Sequence, residues 1–254
     1  LPSLIFIHVF FVSWSDVVAW ISLQTLIHNS PVSMSFYHLI FRIVVVLTSF
    51  MISVWSCSGS TDTKDNHQSV QNYLQDIPTY GLDSSINVVI EIPAGTNQKW
   101  EVNKATGQLE WEKLADASRR VVDYLAYPAN YGFIPQTYLD PFKGGDGDPV
   151  DVFVLGEYIP RAEIVPSRIV GVIQLMDQGE IDDKLIAVPQ TSDWNHIHTL
   201  NQLKDLYPGV LEILQIWLSN YKGEGKIEIQ GIQDESVARV IIQQANRDYL
   251  RSKE

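Results

Sequence analysis

Between residues 86 and 188 the chain is written in short apolar runs broken by turn-forming residues, and from residue 208 the spacing becomes helical. The run 86–92 (Ile-Asn-Val-Val-Ile-Glu-Ile) is rich in β-branched residues and stops at Pro93, which predicts a strand with a definite end. Turn residues at 94–98 lead into two short segments, 99–102 and 107–111, that read as a hairpin. An apolar run at 121–125 precedes Tyr127-Pro128-Ala129-Asn130-Tyr131-Gly132, which reads as a turn-forming stretch. Segments 150–155, 164–175 and 184–188 predict further strands. In 208–222, Val210, Leu214, Trp217, Leu218 and Tyr221 fall on one helical face, and 235–251 predicts a second helix with Val237, Val240, Ile241 and Tyr249 on one side. Short strands separated by turns favour a barrel or sandwich over a parallel sheet with crossover helices, and the C-terminal helices make the class α+β, mainly β.

The N-terminal part reads differently. Residues 1–33 are apolar, begin without methionine and precede Met34, so they read as an over-extended translation start and are set aside. Residues 40–55 are almost wholly apolar, and Val54-Trp55-Ser56-Cys57 resembles a bacterial lipoprotein box in which Cys57 would be lipidated. On that reading 34–57 is a signal peptide, the alternative being a single membrane-spanning helix. Residues 58–80 are polar and aperiodic, a linker, which leaves 81–254 as one globular domain. The expected location is the cell envelope, with the lipid on Cys57 as the membrane attachment.

Composition narrows the function. Of 254 residues 45% are apolar, enough for one sizeable core. With 18 basic against 30 acidic residues, the net charge of -12 leaves no basic footprint for a sequence-independent nucleic-acid binder. An acidic chain can still bind an anion if metal ions and a few placed Lys and Arg invert the local field. The lone cysteine, Cys57, excludes an intramolecular disulfide and a cysteine-based zinc cluster.

Asp146-Gly147-Asp148-Pro149-Val150-Asp151 places three carboxylates around a glycine and a proline, directly before an apolar strand. Like charges so close resist ionisation, and the usual compensation is a divalent cation; oxygen-only ligands select a hard ion such as Mg2+. A second cluster, Asp177-Gln178-Gly179-Glu180-Ile181-Asp182-Asp183-Lys184, also lies between strand-like runs, so both clusters are expected at strand ends on a common rim, with Glu91 and Glu101 adding carboxylates. A calcium-binding EF-hand fails, because its fifth and sixth positions would be Val150 and Asp151. His196-Ile197-His198 is too short a pattern to read as a metal site.

The hexapeptide 146–151 matches the signature of the soluble, magnesium-dependent inorganic pyrophosphatases of the family I type. Glu91-Ile92-Pro93, Lys99-Trp100-Glu101, the stretch 127–132, Asp177 with Asp182 and Lys184, and Tyr221-Lys222 follow in that family's order. The resemblance covers 81–254. It implies an OB-like five-stranded closed barrel with flanking C-terminal helices, and hydrolysis of pyrophosphate to two orthophosphates. It further implies metal ligands at Asp146, Asp151, Asp177 and Asp182, with Asp151 bridging two Mg2+ ions for which Mn2+ can substitute, and Asp148 as the general base. Lys99, Tyr131, Tyr221 and Lys222 are implied to grip phosphate oxygens, with Lys184, Tyr127, Glu91 and Glu101 around them. Family members commonly form homo-oligomers, hexamers in bacteria, and are largely cytoplasmic, which is the alternative to the envelope.

Two positions depart from the family pattern. The phosphate-clamping arginine has three candidates, Arg120, Arg119 and Lys113, of which counting back from Tyr127 favours Arg120. Gln178 stands where an acidic residue is common, which removes one charge near the metal ligands. A non-catalytic, divalent-ion-binding envelope protein on the same barrel is the alternative function.

Overall fold

The computed structural model describes residues 71–253. The leader, Cys57 and residues 58–70 lie outside the described residues. In chain order the strands are β1 (Ile86–Ile92), β2 (Trp100–Val102), β3 (Leu109–Trp111), β4 (Asn130–Phe133), β5 (Asp151–Val154), β6 (Ile164–Asp177), β7 (Glu180–Ile181), β8 (Lys184–Pro189) and β9 (Ile227–Asp234). The helices are α1 (Leu200–Leu206), α2 (Val210–Asn220) and α3 (Glu235–Arg251).

The architecture is a mainly-β sheet with helices gathered towards the C-terminus. Strands run in the order β1-β4-β5-β8-β6-β7; β9 pairs with β6, and β1 also pairs with β6, so the pairings return to their start. Strands β2 and β3 form a separate hairpin, as their spacing predicts. Strands β1, β4 and β8 are buried along their whole length; β1 and β8 therefore lack the alternation of a half-exposed strand, whereas β4 (Asn-Tyr-Gly-Phe) does not read as an apolar run. One apolar cluster joins Tyr131, Phe153 and Ile173 to Leu203, Leu214 and Trp217 of α1 and α2; another joins Val88, Ile90, Val152 and Leu185 to Ala238, Ile242 and Ala245 of α3.

Several expectations change. The stretch read as a turn around Asn130 is the buried strand β4. Its Gly132 is there for close packing, since a Cβ would lie 1.9 Å from the Val89 carbonyl oxygen on β1. The apolar run 121–125, to which the sequence assigned no element, is held by an isolated bridge between Gln98 and Val121. Strand β9 and helix α1 carried no clear signal. Residues 71–80, read as the end of the linker, fold onto the domain: Ile77 and Thr79 are buried, and the Thr79 hydroxyl donates to Pro135 O at 2.8 Å.

Helix α3 has the predicted bounds, begun by Asp234, whose carboxylate accepts from the Ser236 and Val237 N–H groups. Its inward face is Ala238, Ile242, Ala245 and Asp248, while Val240 is 62% exposed. The predicted face is therefore rotated, because small residues rather than the bulky Val240 pack on the sheet. Among the described residues no helix is long and apolar enough to cross a membrane.

Candidate active site

Strand ends converge on one rim. Asp151 opens β5 and Lys184 opens β8, and the two are direct neighbours in the parallel pair. Asp177 ends β6, Glu91 lies near the end of β1, and the Lys99–Glu101 segment enters the hairpin beside them. The first acidic cluster turns just before β5, where the Asp148 N–H donates to Asp146 Oδ1 at 2.9 Å.

Lysines hold three of the four predicted metal carboxylates and the predicted base. The nearly buried Lys184 ammonium lies 2.5 Å from Asp151 Oδ2 and also bonds Asp182. Lys222 bonds Asp177, and Lys104 bonds Asp148. Burial alone would neutralise Lys184, but Asp151 and Asp182 override it and hold its pKa above the ordinary lysine value. Burial pushes the Asp182 carboxyl upward against the pull of Lys184, and Asp151 adds to the rise. Burial likewise raises Asp146; the Asp148 N–H opposes this and the charges of Asp148 and Asp151 reinforce it. The carboxylates of this rim outnumber the ammonium groups beside them, so it remains short of positive charge.

A cleft of about 630 Å3 opens next to this cluster, lined by Glu91, Lys99, Glu101, Lys104, Glu112, Lys113, Asp148 and Asp151 among others. Burial would lower the Lys99 pKa, yet the acidic oxygens of Tyr127, Glu91, Asp151 and Glu101 around it leave it raised. Glu91 is 4% exposed and accepts from the Val102 N–H at 2.7 Å; burial, opposed by Lys99, pushes its carboxyl up to about 8.

The tyrosines form a stack against Trp217. Tyr127 lies 5.3 Å from Tyr131 and 4.4 Å from Trp217, and Trp217 stacks at 4.4 Å on Tyr221. Burial raises the pKa of both Tyr127 and Tyr131, so each stays a hydroxyl donor at neutral pH. Trp217 is thus the scaffold that brings the end of α2, with Tyr221 and Lys222, to β4.

Among the clamp candidates, Arg120 donates from Nη1 to both Glu112 oxygens at 2.8 and 2.9 Å. Burial would lower its pKa, and the Glu112 pair keeps it raised. Arg119 instead stacks 4.8 Å over Trp111, and Lys113 lines the cleft. Gln178 sits in the turn after β6, in a left-handed conformation with φ of 51°, and its Nε2 is 3.5 Å from Asp177 Oδ1. His196 Nδ1 meets the Asp193 carbonyl oxygen at 2.7 Å.

Sequence reasoning missed Lys104, Glu112 and Arg161. Arg161 donates from Nε to the Glu91 carbonyl at 2.9 Å and lies 4.1 Å over the Trp100 ring. No motif marks these three; each reaches the site through a loop or hairpin partner. Among the described residues no three His, Cys, Asp or Glu side chains already converge as a ligand set. The acids are gathered instead in pairs and singles around ammonium groups.

The family model described as inorganic pyrophosphatase matches residues 88–250. The chain belongs to the inorganic pyrophosphatase family. Among its relatives, the inorganic pyrophosphatase of Campylobacter jejuni is 33% identical over 172 residues, covering 66% of this chain and 94% of the relative. That of Bos taurus is 32% identical over 201 residues, covering 70% of this chain and 68% of the relative. The crystal structure of type I inorganic pyrophosphatase from Toxoplasma gondii superposes with a TM-score of 0.65 at 27% identity, covering 69% of this chain and 86% of that one. The inorganic pyrophosphatase match spans the whole rim described above, from Glu91 to Lys222.

Proposed function

We propose that this inorganic pyrophosphatase hydrolyses pyrophosphate to two orthophosphates at the rim formed by β5, β8 and the β2–β3 hairpin. The observation that carries this reading is the Lys184 ammonium shared by Asp151 and Asp182 beside a cleft bearing Lys99. Carboxylates already aimed at a common cation, with Asp146 and Asp182 still raised in pKa, fit a site that takes further positive charge. The donors are all oxygen, which suits Mg2+, with Mn2+ as a substitute.

Asp146, Asp151, Asp177 and Asp182 would hold two or more such ions. When bound, divalent ions lower the pKa of the attacking water and neutralise charge on the attacked and leaving phosphates. Asp148 would accept the water's proton, with Lys104 keeping its carboxylate oriented. Lys99, Arg120, Tyr131, Tyr221 and Lys222 would bind the phosphate oxygens and hold the anhydride in line. Tyr127 and Glu112 position two of these donors, through ring packing and through the Arg120 pair. Glu91 and Glu101 shape the charge around Lys99.

Phosphate release from pyrophosphate in Mg2+, and none in EDTA, is the expected result; no release with any divalent metal would overturn the reading. The ring of strand pairings is read as the OB-like five-stranded closed barrel, and a homo-oligomer, a hexamer by family resemblance, as the working state. Lipid attachment at Cys57 is a separate proposal carried by the sequence alone. Mass spectrometry of the mature N-terminus tests it: an acylated Cys57 supports the envelope, and an unprocessed start at Met34 favours the cytoplasm.

A further inference from the structure

The far end of the same strands carries a second polar cavity, of about 220 Å3. Ile86 of β1 pairs with Ser167 of β6, and Ser167 with Pro189 of β8, so the cavity lies where β1 begins and β8 ends. Glu91 and Lys184 are each five residues away along these strands, roughly 17 Å at the usual rise. The cavity is therefore separate from the hydrolytic rim.

Its polar lining is Asp83, Ser84, Ser85, Ser167, Arg168, Gln190 and Arg239. Ser85 is 4% exposed, and its buried hydroxyl has the Asp83 carboxylate beside it as its acceptor. Arg168 is fixed by one nitrogen: its Nη1 donates to Asn195 O at 2.8 Å, Asn195 Oδ1 at 3.1 Å and Ile197 O at 3.2 Å. That anchoring fixes the guanidinium before a ligand arrives, which lowers the entropy cost of binding. Arg239, on the exposed side of α3, forms no ion pair among the described residues. Asp83 accepts from the Ser85 N–H at 3.1 Å, and the Ser85 and Gln190 side chains beside it hold its carboxyl below the ordinary value, so it lines the cavity as a carboxylate and the two arginines exceed it by one charge.

We propose that this cavity binds a compact phosphate-type oxyanion, either free phosphate or the head of a phosphomonoester. Two guanidinium groups lining one cavity, with the Ser84 hydroxyl beside them, are chemistry that recognises such an anion. The volume lies below the roughly 300 Å3 from which sites for drug-sized ligands start, which selects a compact group.

The test is thermal unfolding of the full chain in EDTA, titrated with inorganic phosphate or with glycerol 3-phosphate, against sodium chloride of equal ionic strength. The expected result is a saturable rise in midpoint with at least one of the two anions. Arg239→Ala should need about tenfold more anion for the same rise, the loss of one charge-assisted contact. Arg239→Lys should retain most of the response, and Asp151→Asn should leave it unchanged. Pyrophosphate turnover of Arg239→Ala should match that of the parent chain. A response to phosphate alone identifies the free ion, and a stronger response to glycerol 3-phosphate identifies the phosphomonoester. No saturable response, an equal response in Arg239→Ala, or a response abolished by Asp151→Asn would each overturn the proposal.

Discussion

The Lys184 ammonium lies 2.5 Å from Asp151 Oδ2 and also bonds Asp182, tying together the first residues of the parallel strands β5 and β8. Removing one member of a buried charge cluster leaves the others uncompensated, which typically costs about 3–5 kcal/mol. Lys184→Met should fall at the low end of that range in EDTA, because Asp151 keeps some solvent contact. Added Mg2+ should restore much of the loss if these carboxylates hold metal. Urea denaturation with and without Mg2+ measures both quantities, and a deficit unmoved by the ion would argue against a shared cation at Asp151 and Asp182.

Asp151→Asn separates charge from shape at the same point. The amide keeps the volume and can still meet Lys184 through its oxygen, so circular dichroism and the unfolding midpoint should change little. Mg2+-dependent phosphate release should disappear, since a neutral amide is a poor hard-ion ligand. Turnover close to that of the parent would sink the bridging role.

For the phosphate clamp, the geometry distinguishes three candidates. Arg120 is held by both oxygens of Glu112, whereas Arg119 stacks on Trp111. Arg120→Ala should lower kcat/KM by about 100-fold or more, the usual loss for one preorganised transition-state donor. Arg119→Ala should stay within about threefold, because an exposed stacking cation acts only at a distance. If both losses are small and Lys113→Ala is the damaging change, the cleft-lining lysine is the clamp instead.

What the sequence made legible follows from where charge is costly. Asp146, Asp148 and Asp151 read as a cation site because three acids before a buried strand have no cheap structural purpose, and the structure sets Asp151 against the Lys184 ammonium. Glu235–Arg251 could be bounded because Asp234 caps it and its composition favours helix. Helix rotation could not be read: Ala238 and Ala245 face the sheet since close packing there selects small side chains over Val240. Strand β4 was hidden because Gly132 marks a turn in sequence but a close backbone approach in space. Lys104 and Glu112 were equally hidden, as their partners Asp148 and Arg120 are set by how the hairpin folds over the cleft.

Glu91 should make stability depend on pH in a way its amide does not. Burial, opposed by Lys99, raises its folded pKa from the ordinary 4.5 to about 8, so between those values the folded chain holds a proton that the unfolded chain has released. Stability from the neutral carboxyl is therefore fully present below pH 4.5, declines across the window, and is lost above pH 8. Glu91→Gln stays neutral throughout and still presents an oxygen to the Val102 N–H. In EDTA its stability relative to the parent should grow from pH 5 to pH 9 by on the order of a few kcal/mol. Denaturation curves for both chains across that range give the difference directly. Parallel pH profiles would mean that Lys99 keeps Glu91 ionised in the fold, and the carboxylate would then add to the negative charge facing Lys99 at every working pH.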